Sequence, residues 1–409
     1  MTAARTALVI GGGVAGPVLA MALHKAGITA TVHEARTDPD EDLGSFLTLQ
    51  VNGIAALRAI DAGSALDGIG FPTSSITFRS GTGKVLGAIG TGDPLPDGTV
   101  GITLARADLH RVLRGEAERR GITVTYGKRL MDVRESADGV TALFADGSTA
   151  SADILVGADG IRSRVRTLID PDAPAARYVP VLNLGGFARV PDNDVPPGQY
   201  EMVFGKRAFY GQAVAPDGTT WWFANPPRHT EPAPGELAAT STEEWRALLM
   251  ALFADDRTSA ARVVAATPGE LRCWATYDLP SVPHWHRGRL VLVGDAAHAT
   301  SPSSGQGASM AIEDAVVLAR CLRDHPDPES AFAAYVDMRR DRVERVVAFG
   351  ARYSNQKAAG PIGRVLRDLV LPIILRRTAG SNSASPTWLH HYAIDWDAPV
   401  TADQVTANR

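Results

Sequence analysis

The feature that most constrains the fold of this 409-residue chain is a glycine-rich turn directly after an apolar run. Residues 7–10 (ALVI) are continuously apolar, as expected of a strand that is buried on both faces of a parallel sheet. Gly11 permits a tight turn, Gly13 lets the backbone approach a pyrophosphate, and Gly16 allows close helix–strand packing. The segment therefore predicts the strand, turn and helix that open a nucleotide-binding α/β fold.

The residues after the turn supply the other parts of a dinucleotide site. Residues 17–23 (PVLAMAL) predict a helix whose free N–H groups and positive dipole end face the phosphates. The next predicted strand, residues 30–33, ends at Glu34, about 20 residues beyond the turn, where an acid binds the ribose hydroxyls. We assign Ala15 and Arg36 to the same site. The alternative is a glycine-rich turn that holds no ligand.

Composition and charge exclude several classes of function. The length favours two or three domains, and 45% apolar residues are enough for a large core. The formal net charge is −4, and no basic stripe for nucleic-acid binding stands out. Cys273 and Cys321 are too few for a disulfide framework, so we expect the reducing cytoplasm. No metal site is predicted.

An apolar segment near the C-terminus has two interpretations. Residues 369–375 are too short to span a membrane, so no membrane span is predicted. The segment is flanked by four arginines: Arg364, Arg367, Arg376 and Arg377. We favour a packed helix with a solvated basic face over a helix lying on a membrane surface. The end of the tail is expected to dock through three aromatic residues, Trp388, Tyr392 and Trp396.

Periodicity divides the chain into interleaved parts. Alternating strand and helix patterns, typical of a nucleotide-binding α/β domain, occupy three segments: 1–71, 99–175 and 281–325. Short strands punctuated by Gly and Pro, typical of a mostly antiparallel sheet, occupy two others: 72–98 and 176–280. Residues 326–409 form a C-terminal helical region and tail. A discontinuous α/β domain interrupted by a sheet domain that binds substrate is the simplest arrangement.

Two further glycine-marked turns follow buried apolar runs. In the first, Gly160 permits close approach and Asp159 is expected to fix the loop through hydrogen bonds to the backbone. The alternative is an ordinary strand-to-helix turn with Asp159 as helix N-cap. Three arginines follow, which suit either phosphates or a solvated helix face: Arg162, Arg164 and Arg166.

The last turn begins at Gly294-Asp295, and the loop from Pro302 through Gly305, Gln306 and Gly307 then opens a helix. A glycine-rich loop at a helix N-terminus is a ready anion site.

In this order and spacing the three turns resemble those of the single-component FAD-dependent aromatic hydroxylases, over roughly residues 5–350. The resemblance implies an α/β fold in which a Rossmann-like FAD-binding domain is interrupted by a mostly antiparallel β-sheet substrate domain, with C-terminal helices. It implies non-covalent FAD, with NADPH or NADH as transient reductant. Through a flavin C4a-hydroperoxide formed with O2, such an enzyme hydroxylates or epoxidises an aromatic or polycyclic small molecule. Secondary metabolism or antibiotic modification is the expected setting.

The resemblance also assigns roles to individual residues. Asp295 is expected to bind the ribityl hydroxyls, and Arg106 to lie beside the flavin chain, unless it only pairs with Asp108. His298 is taken as structural rather than as an acid–base catalyst, and Ser309 stands where the family often has Asn. The predicted cofactor contacts are Gly11, Gly13, Ala15, Gly16, Glu34, Arg36, Arg106, Leu130, Asp159, Gly160, Gly294, Asp295, Pro302, Gly305, Gln306 and Gly307.

Substrate residues are expected in the strand-rich insert 176–280. By strand alternation Trp221 and Phe223 share one face and Trp222 takes the other, and the pattern leaves open which face is inward. Residues 204–207 and 223–226 resemble segments of tetracycline-inactivating monooxygenases, which implies substrate contact by an arginine. The pocket candidates are Phe187, Arg207, Tyr210 and Trp222.

Alternatives stay open at this point. They are an FAD-dependent oxidase or dehydrogenase that takes hydride directly from its substrate, and a non-redox FAD-containing binding protein. The chain is expected to act as a monomer or a homodimer, and the sequence predicts no residue for proton transfer.

Overall fold

The computed structural model describes residues 3–38, 46–191, 193–356, 361–379 and 387–400. In chain order its strands are β1 Thr6–Ile10, β2 Thr29–His33, β3 Phe46–Leu49, β4 Phe71–Pro72, β5 Ser75–Ser80, β6 Val85–Gly90, β7 Ile102–Ala105, β8 Thr123–Thr125, β9 Leu130–Glu135, β10 Val140–Phe144, β11 Thr149–Ala152, β12 Ile154–Gly157, β13 Arg177–Arg189, β14 Gln199–Phe204, β15 Phe209–Val214, β16 Thr219–Asn225, β17 Cys273–Asp278, β18 His286–Arg287 and β19 Leu290–Leu292. Its α-helices are α1 Ala15–Lys25, α2 Val51–Ala59, α3 Arg106–Arg119, α4 Arg164–Ile169, α5 Glu236–Ala239, α6 Thr242–Phe253, α7 Ala260–Ala266, α8 Asp295–His298, α9 Gly307–Asp324, α10 Pro328–Gln356, α11 Pro361–Ala379 and α12 Thr387–His390.

A six-stranded sheet brings the three glycine-marked turns together. Its strand order is β18-β19-β12-β1-β2-β8, and β1 pairs in parallel with both β12 and β2. Strand β12 in turn pairs in parallel with β19. Because the register aligns Ile10 with Gly157 and Gly157 with Leu292, the turns after these three strands leave the same edge of the sheet. That edge is where ligands bind in open α/β folds.

A seven-stranded, mostly antiparallel sheet has the order β17-β13-β16-β15-β14-β5-β6, with only β14 and β5 parallel. Cross-strand register places Phe187 opposite Trp221, and Trp221 opposite Ala213. Tyr210 and Trp222 therefore belong to the other face, where they pack in a core with α6 and α7. The predicted fold class is confirmed. The domain limits stay a prediction.

The C-terminal part docks as expected at its tail but not along α11. Trp396 is nearly buried, with Arg323 and Lys25 stacked on its ring. Helix α11 packs on β6 through Leu375, which lies close to Gly87. Five of its other apolar side chains are exposed: Leu366, Leu369, Val370, Ile373 and Ile374.

The prediction of a packed helix with a solvated basic face is therefore wrong for most of α11, since it is the apolar side chains that face outward. Arg367 is turned inward instead, stacked 4.4 Å from the centre of the Phe204 ring and paired with Asp368. The side chains of Arg376 and Arg377 lie outside the described residues. Among the described helices, none has both the length and the apolar run needed to cross a bilayer.

Candidate cofactor and substrate site

Close backbone contacts explain the glycines of the first turn. Gly11 has a φ of +110°, and a Cβ there would lie 2.3 Å from the carbonyl oxygen of Ala158 in the second turn. A Cβ on Gly16 would lie 1.9 Å from the carbonyl oxygen of Gly11. Any side chain at either position would separate β1 from α1 or the first turn from the second.

Glu34 holds the end of β2 against the first turn. Its carboxylate accepts hydrogen bonds from the backbone N–H of Gly12 at 2.6 Å and of Arg36 at 2.9 Å. Burial acts to raise the pKa of Glu34, but these hydrogen bonds and the charge of Arg36 outweigh it, so the pKa is lowered. Glu34 is thus an ionised acceptor beside the glycine turn, as a ribose ligand must be. The Nη1 atom of Arg36 is buried and has no hydrogen-bond partner among the described residues.

Arg106 and His110 lie on successive turns of α3. Asp108 pairs with Arg111 at 2.8 Å, so the expected alternative of an Arg106–Asp108 pair is not what the structure shows. The charge of Arg106 lowers the pKa of both His110 and Asp295, so its guanidinium lies within electrostatic range of both residues. His110 was not predicted from the sequence. Its i, i+4 spacing from Arg106 was the signal that could have found it.

Asp159 fixes the second turn as predicted. Its carboxylate accepts from the hydroxyl of Ser163 at 2.5 Å and from the backbone N–H groups of Arg164 at 2.7 Å and Val165 at 3.1 Å. Burial raises its pKa. Ser163, not Asp159, is the N-cap of α4.

The sequence predicts that Arg166, like Arg162 and Arg164, either binds phosphates or lies on a solvated helix face. For Arg166 this prediction is wrong. It is buried, and it donates to the carbonyl oxygens of Ile161 at 2.7 Å and Ala296 at 3.0 Å. Arg166 thereby ties the second turn to the third.

The third turn is held by a buried ionic network. Asp314 accepts hydrogen bonds from the backbone N–H of Gly294 at 2.9 Å and from Nε of Arg339 at 2.7 Å, and it pairs with His298. Burial acts to raise the pKa of Asp314, but His298 and Arg339 lower it to about 2. His298 is therefore structural, as expected. Asp295 is exposed at the start of α8, and partial desolvation by its surroundings raises its pKa.

The loop before α9 is anchored by Gln306 rather than open at that residue. The buried Gln306 side chain accepts from Nδ2 of Asn52 at 2.9 Å and contacts Nδ1 of His390 at 3.1 Å. A cofactor contact at Gln306 stays a prediction and would involve its backbone, because the side chain is engaged by Asn52 and His390. Gly305 has a φ of +62°. Beside it lies the buried side chain of Gln50, whose Oε1 has no hydrogen-bond partner among the described residues.

Two other predicted positions have plain packing roles. The Leu130 side chain is buried in the main core, so any contact with cofactor would come from its backbone. The hydroxyl of Ser309 accepts from the backbone N–H of Gln50 at 3.2 Å, and a Cβ on Gly53 would lie 2.7 Å from it. Small residues here let α2 and α9 approach closely.

These residues fit a flavin dinucleotide. We call the space between the three turns at their shared sheet edge the cofactor groove. Near these turns, Arg36, His110 and Gln50 carry buried polar atoms that have no hydrogen-bond partner among the described residues. A polar ligand such as a flavin dinucleotide would give these atoms partners. Within the described residues no cluster of His, Cys, Asp or Glu is arranged to hold a metal ion.

An aromatic cluster lies where β3 meets the seven-stranded sheet. The ring centre of Phe46 is 5.6 Å from that of Trp221, 6.2 Å from Phe223 and 6.4 Å from Phe187. Phe71 of β4 approaches Trp221 edge-on at 5.2 Å. We call these five residues the aromatic face.

Three of the four predicted pocket residues are not on the aromatic face. Tyr210 and Trp222 are fully buried under α6 and α7, where the Trp222 indole donates to Thr267 at 2.8 Å. Both predictions are wrong because alternation puts these side chains on the helix-covered side of the sheet. Arg207 lies in the turn between β14 and β15 and forms an exposed ion pair with Asp255. Of the predicted set, the aromatic face includes only Phe187.

The fold and the three turns define a nucleotide-binding α/β protein, and comparison with known proteins identifies the cofactor and the class of enzyme. A family model described as an FAD binding domain matches residues 4–350, and the chain belongs to this family. It is 31% identical over 347 residues to the FAD-dependent urate hydroxylase of Klebsiella pneumoniae, covering 83% of this chain and 87% of that protein.

It is also 33% identical over 362 residues to the 3-amino-4-hydroxybenzoate 2-monooxygenase PtmB3 of Streptomyces platensis, covering 83% of this chain and 85% of that protein. The structure of Klebsiella pneumoniae HpxO complexed with FAD and uric acid superimposes with a TM-score of 0.82 at 26% identity, covering 94% of this chain and 97% of that one. The protein is an FAD-dependent monooxygenase.

Proposed function

We propose that this monooxygenase hydroxylates or epoxidises an aromatic or polycyclic small molecule held against the aromatic face. NADPH or NADH serves as the transient reductant and O2 as the second substrate. The observation that carries the proposal is the insertion of Phe46, from the cofactor-binding part of the chain, among the rings of Phe187, Trp221 and Phe223.

Strand β3 connects the two parts of the site. It begins at Phe46 in the aromatic face and ends next to Gln50. The side chain of Gln50 lies beside Gly305, in the glycine-rich loop that precedes α9. At about 3.3 Å per residue, four residues separate the two ends by about 13 Å. Stacked and edge-on ring contacts would hold the substrate.

The similar proteins support an aromatic substrate for this enzyme but do not identify it. They include a urate hydroxylase, an aurachin C monooxygenase/isomerase and a 3-amino-4-hydroxybenzoate 2-monooxygenase. A phenolic or enolic compound of secondary metabolism, or an antibiotic, is the class we favour.

Bound FAD supplies hydride acceptance and activation of O2. The chain contributes the surroundings of that chemistry. The glycine-rich loop at the start of α9 offers N–H groups and a positive dipole end to negative charge on the flavin edge. The apolar rings of the aromatic face exclude water from the reacting oxygen. The balanced reaction converts substrate, O2, NAD(P)H and a proton into oxygenated substrate, NAD(P)+ and water.

A ligand screen tests the proposal directly. Purified holoenzyme is mixed with NADH or NADPH and a panel of phenolic, enolic and polycyclic compounds, and cofactor oxidation is followed with mass detection of a product one oxygen heavier. Stimulated NAD(P)H oxidation with such a product is expected. Anaerobic flavin reduction by substrate alone would establish the oxidase or dehydrogenase alternative. FAD that is retained but oxidises no NAD(P)H under any ligand would establish the binding protein.

The cofactor residues are tested separately. Glu34→Ala is expected to weaken FAD binding by about 1.5–3 kcal/mol, since it removes hydrogen bonds to a charged group. Asp295→Ala is expected to weaken FAD and also to lower the yield of product per NAD(P)H. Asp138→Ala, at an exposed turn, is the control. Wild-type FAD occupancy and yield in both site variants would contradict the proposed cofactor contacts.

We also propose non-covalent FAD, a cytoplasmic location and a monomer or homodimer. Burial raises the pKa of both Cys273 and Cys321 to about 12, so neither thiol is activated for coupling to the flavin. Acid precipitation should release one FAD per chain into the supernatant, and sedimentation would give the oligomeric state. Flavin that stays with the precipitate, or FMN in place of FAD, would contradict the first part.

A further inference from the structure

The imidazole of His110 carries polar atoms that the fold leaves unused. It lies on α3, one helical turn after Arg106. Both ring nitrogens, Nδ1 and Nε2, are buried, and neither has a hydrogen-bond partner among the described residues. A structural histidine would bond at least one nitrogen, as His298 does with Asp314. Two buried ring nitrogens that both lack a partner on a partly exposed side chain are consistent with a ligand at this place.

The ring borders the space that the first glycine turn leaves open. A Cβ placed on Gly13 would have a single described atom within 4 Å, apart from atoms of its two neighbours in the chain. That atom is Cε1 of His110, at 3.8 Å. Gly13 is the position whose missing side chain admits a pyrophosphate in this type of turn. The imidazole thus borders the space beside Gly13.

Charged groups surround the ring on two sides. Arg106 and Arg114 approach from α3, and Arg36 and Glu34 from the end of β2. Burial, followed by the charges of Arg106 and Arg36, lowers the pKa of His110 to about 4, and Glu34 opposes this only in part. Without cofactor the ring is therefore neutral at pH 7. Two phosphate charges beside it would reverse that balance, because opposite charges within a few ångströms favour the charged form.

We infer that His110 is a ligand of the FAD pyrophosphate and takes up one proton when the cofactor binds. As an imidazolium it donates from both nitrogens, and a donor–phosphate hydrogen bond of this kind is charge-assisted. Arg106 and Arg36 flank the same phosphates. The inference concerns cofactor binding alone and does not depend on the proposed substrate.

The sign of the pH dependence follows from linkage. Binding raises the pKa of His110, so the FAD-bound protein holds more protons than the apoprotein. FAD affinity should therefore rise as pH falls, by up to about tenfold per pH unit between the bound and free pKa values of His110. Below the free value, about 4, the gain levels off.

The test is calorimetric titration of FAD into apoprotein from pH 5.5 to 8, in buffers of different ionisation enthalpy. Wild type should take up close to one proton at pH 7 and bind more tightly at pH 6 than at pH 8. His110→Gln keeps a neutral donor and should lose both the proton uptake and the pH dependence. His110→Leu should lose affinity by roughly 10- to 100-fold.

Two controls keep the result specific. His229→Gln removes an exposed imidazole in the segment after β16, away from the three turns, so its proton uptake should match that of wild type. Apoprotein melting curves show whether the His110 variants fold. Proton uptake that survives in His110→Gln, or that disappears in His229→Gln, would overturn the inference. Failure to find a substrate leaves this measurement untouched, because it needs neither NAD(P)H nor turnover.

Discussion

The two faces of the seven-stranded sheet carry the same kinds of aromatic residue but differ in what covers them. Trp222 and Tyr210 lie under α6 and α7, fully buried, with the Trp222 indole bonded to Thr267 and the Tyr210 hydroxyl bonded to Gln212 at 3.2 Å. One residue away on the same strand, Trp221 turns towards β3 and β4 and keeps part of its surface exposed.

Cover by another element therefore separates the core aromatic residues of this sheet from those that can contact a ligand. On the helix-covered face the polar atoms of the rings find protein partners, and the side chains fill space completely. On the aromatic face the contacts are ring to ring, and Phe187 remains 37% exposed. We therefore expect substitutions on the first face to change stability and those on the second to change substrate handling.

The largest effect on stability is expected for Trp222→Ala. Removing a fully buried indole leaves a cavity and removes the hydrogen bond from the indole to Thr267, whose hydroxyl still donates to Val263. The free energy of unfolding should therefore fall by about 3–5 kcal/mol. Denaturant unfolding of the holoenzyme measures it. Trp221→Ala is the matched variant on the adjacent residue, and an equal loss of stability from it would break the comparison.

For Trp221→Ala we expect a smaller loss of stability and a larger change in turnover. The ring contacts Phe46, Phe71 and Phe187, and each aromatic pair contributes about 0.5–1.5 kcal/mol. We expect the Trp221 ring to make two contacts of this strength with bound substrate. Losing them should raise KM about tenfold and increase the H2O2 released per NAD(P)H oxidised. Steady-state kinetics with peroxide detection would show it, and unchanged KM would remove Trp221 from the substrate site.

Tyr210→Phe should reduce the free energy of unfolding by about 1 kcal/mol, because it removes one buried hydrogen bond to Gln212 and leaves the ring in place. Turnover per folded enzyme should not change. A KM effect without a stability effect would mean that the helix-covered face reaches substrate after all.

The smallest stability effect is expected for Phe187→Ala, below about 1 kcal/mol, because the ring is already partly exposed. Its KM should still rise a few-fold through the lost edge contact with Trp221 at 5.0 Å. Phe187→Leu, which keeps apolar volume without the ring, separates the aromatic contact from simple burial. Equal KM values for Leu and wild type would show that ring geometry is not used.

Much of the cofactor groove was predictable because its information is local. A strand followed by a glycine turn and a helix is specified by neighbouring residues, and parallel pairing then brings such turns to one sheet edge. Side-chain partners were less accessible. Arg166 and Gln306 looked like ligand contacts, yet each bonds groups far away in sequence, Ala296 for the first and Asn52 and His390 for the second.

The substrate sheet shows where local information ends. Alternation correctly separated Trp221 and Phe223 from Trp222 but could not say which face was inward, and the choice of Trp222 and Tyr210 was wrong. In the same way the apolar pattern of α11 predicted a packed side that the structure leaves exposed. Both predictions were wrong because they depended on which surface of a strand or helix another element covers.

The sequence by itself determined the flavin-binding framework, since glycines at positive φ, a terminal acid and buried apolar strands are written in short segments. Tertiary contacts alone settle which aromatic rings meet Phe46, which polar side chains complete the buried networks, and that His110 lies beside Gly13. The physical reason is that a period-two strand pattern is symmetric between its faces, and that symmetry is broken only when α6 and α7 pack against one of them.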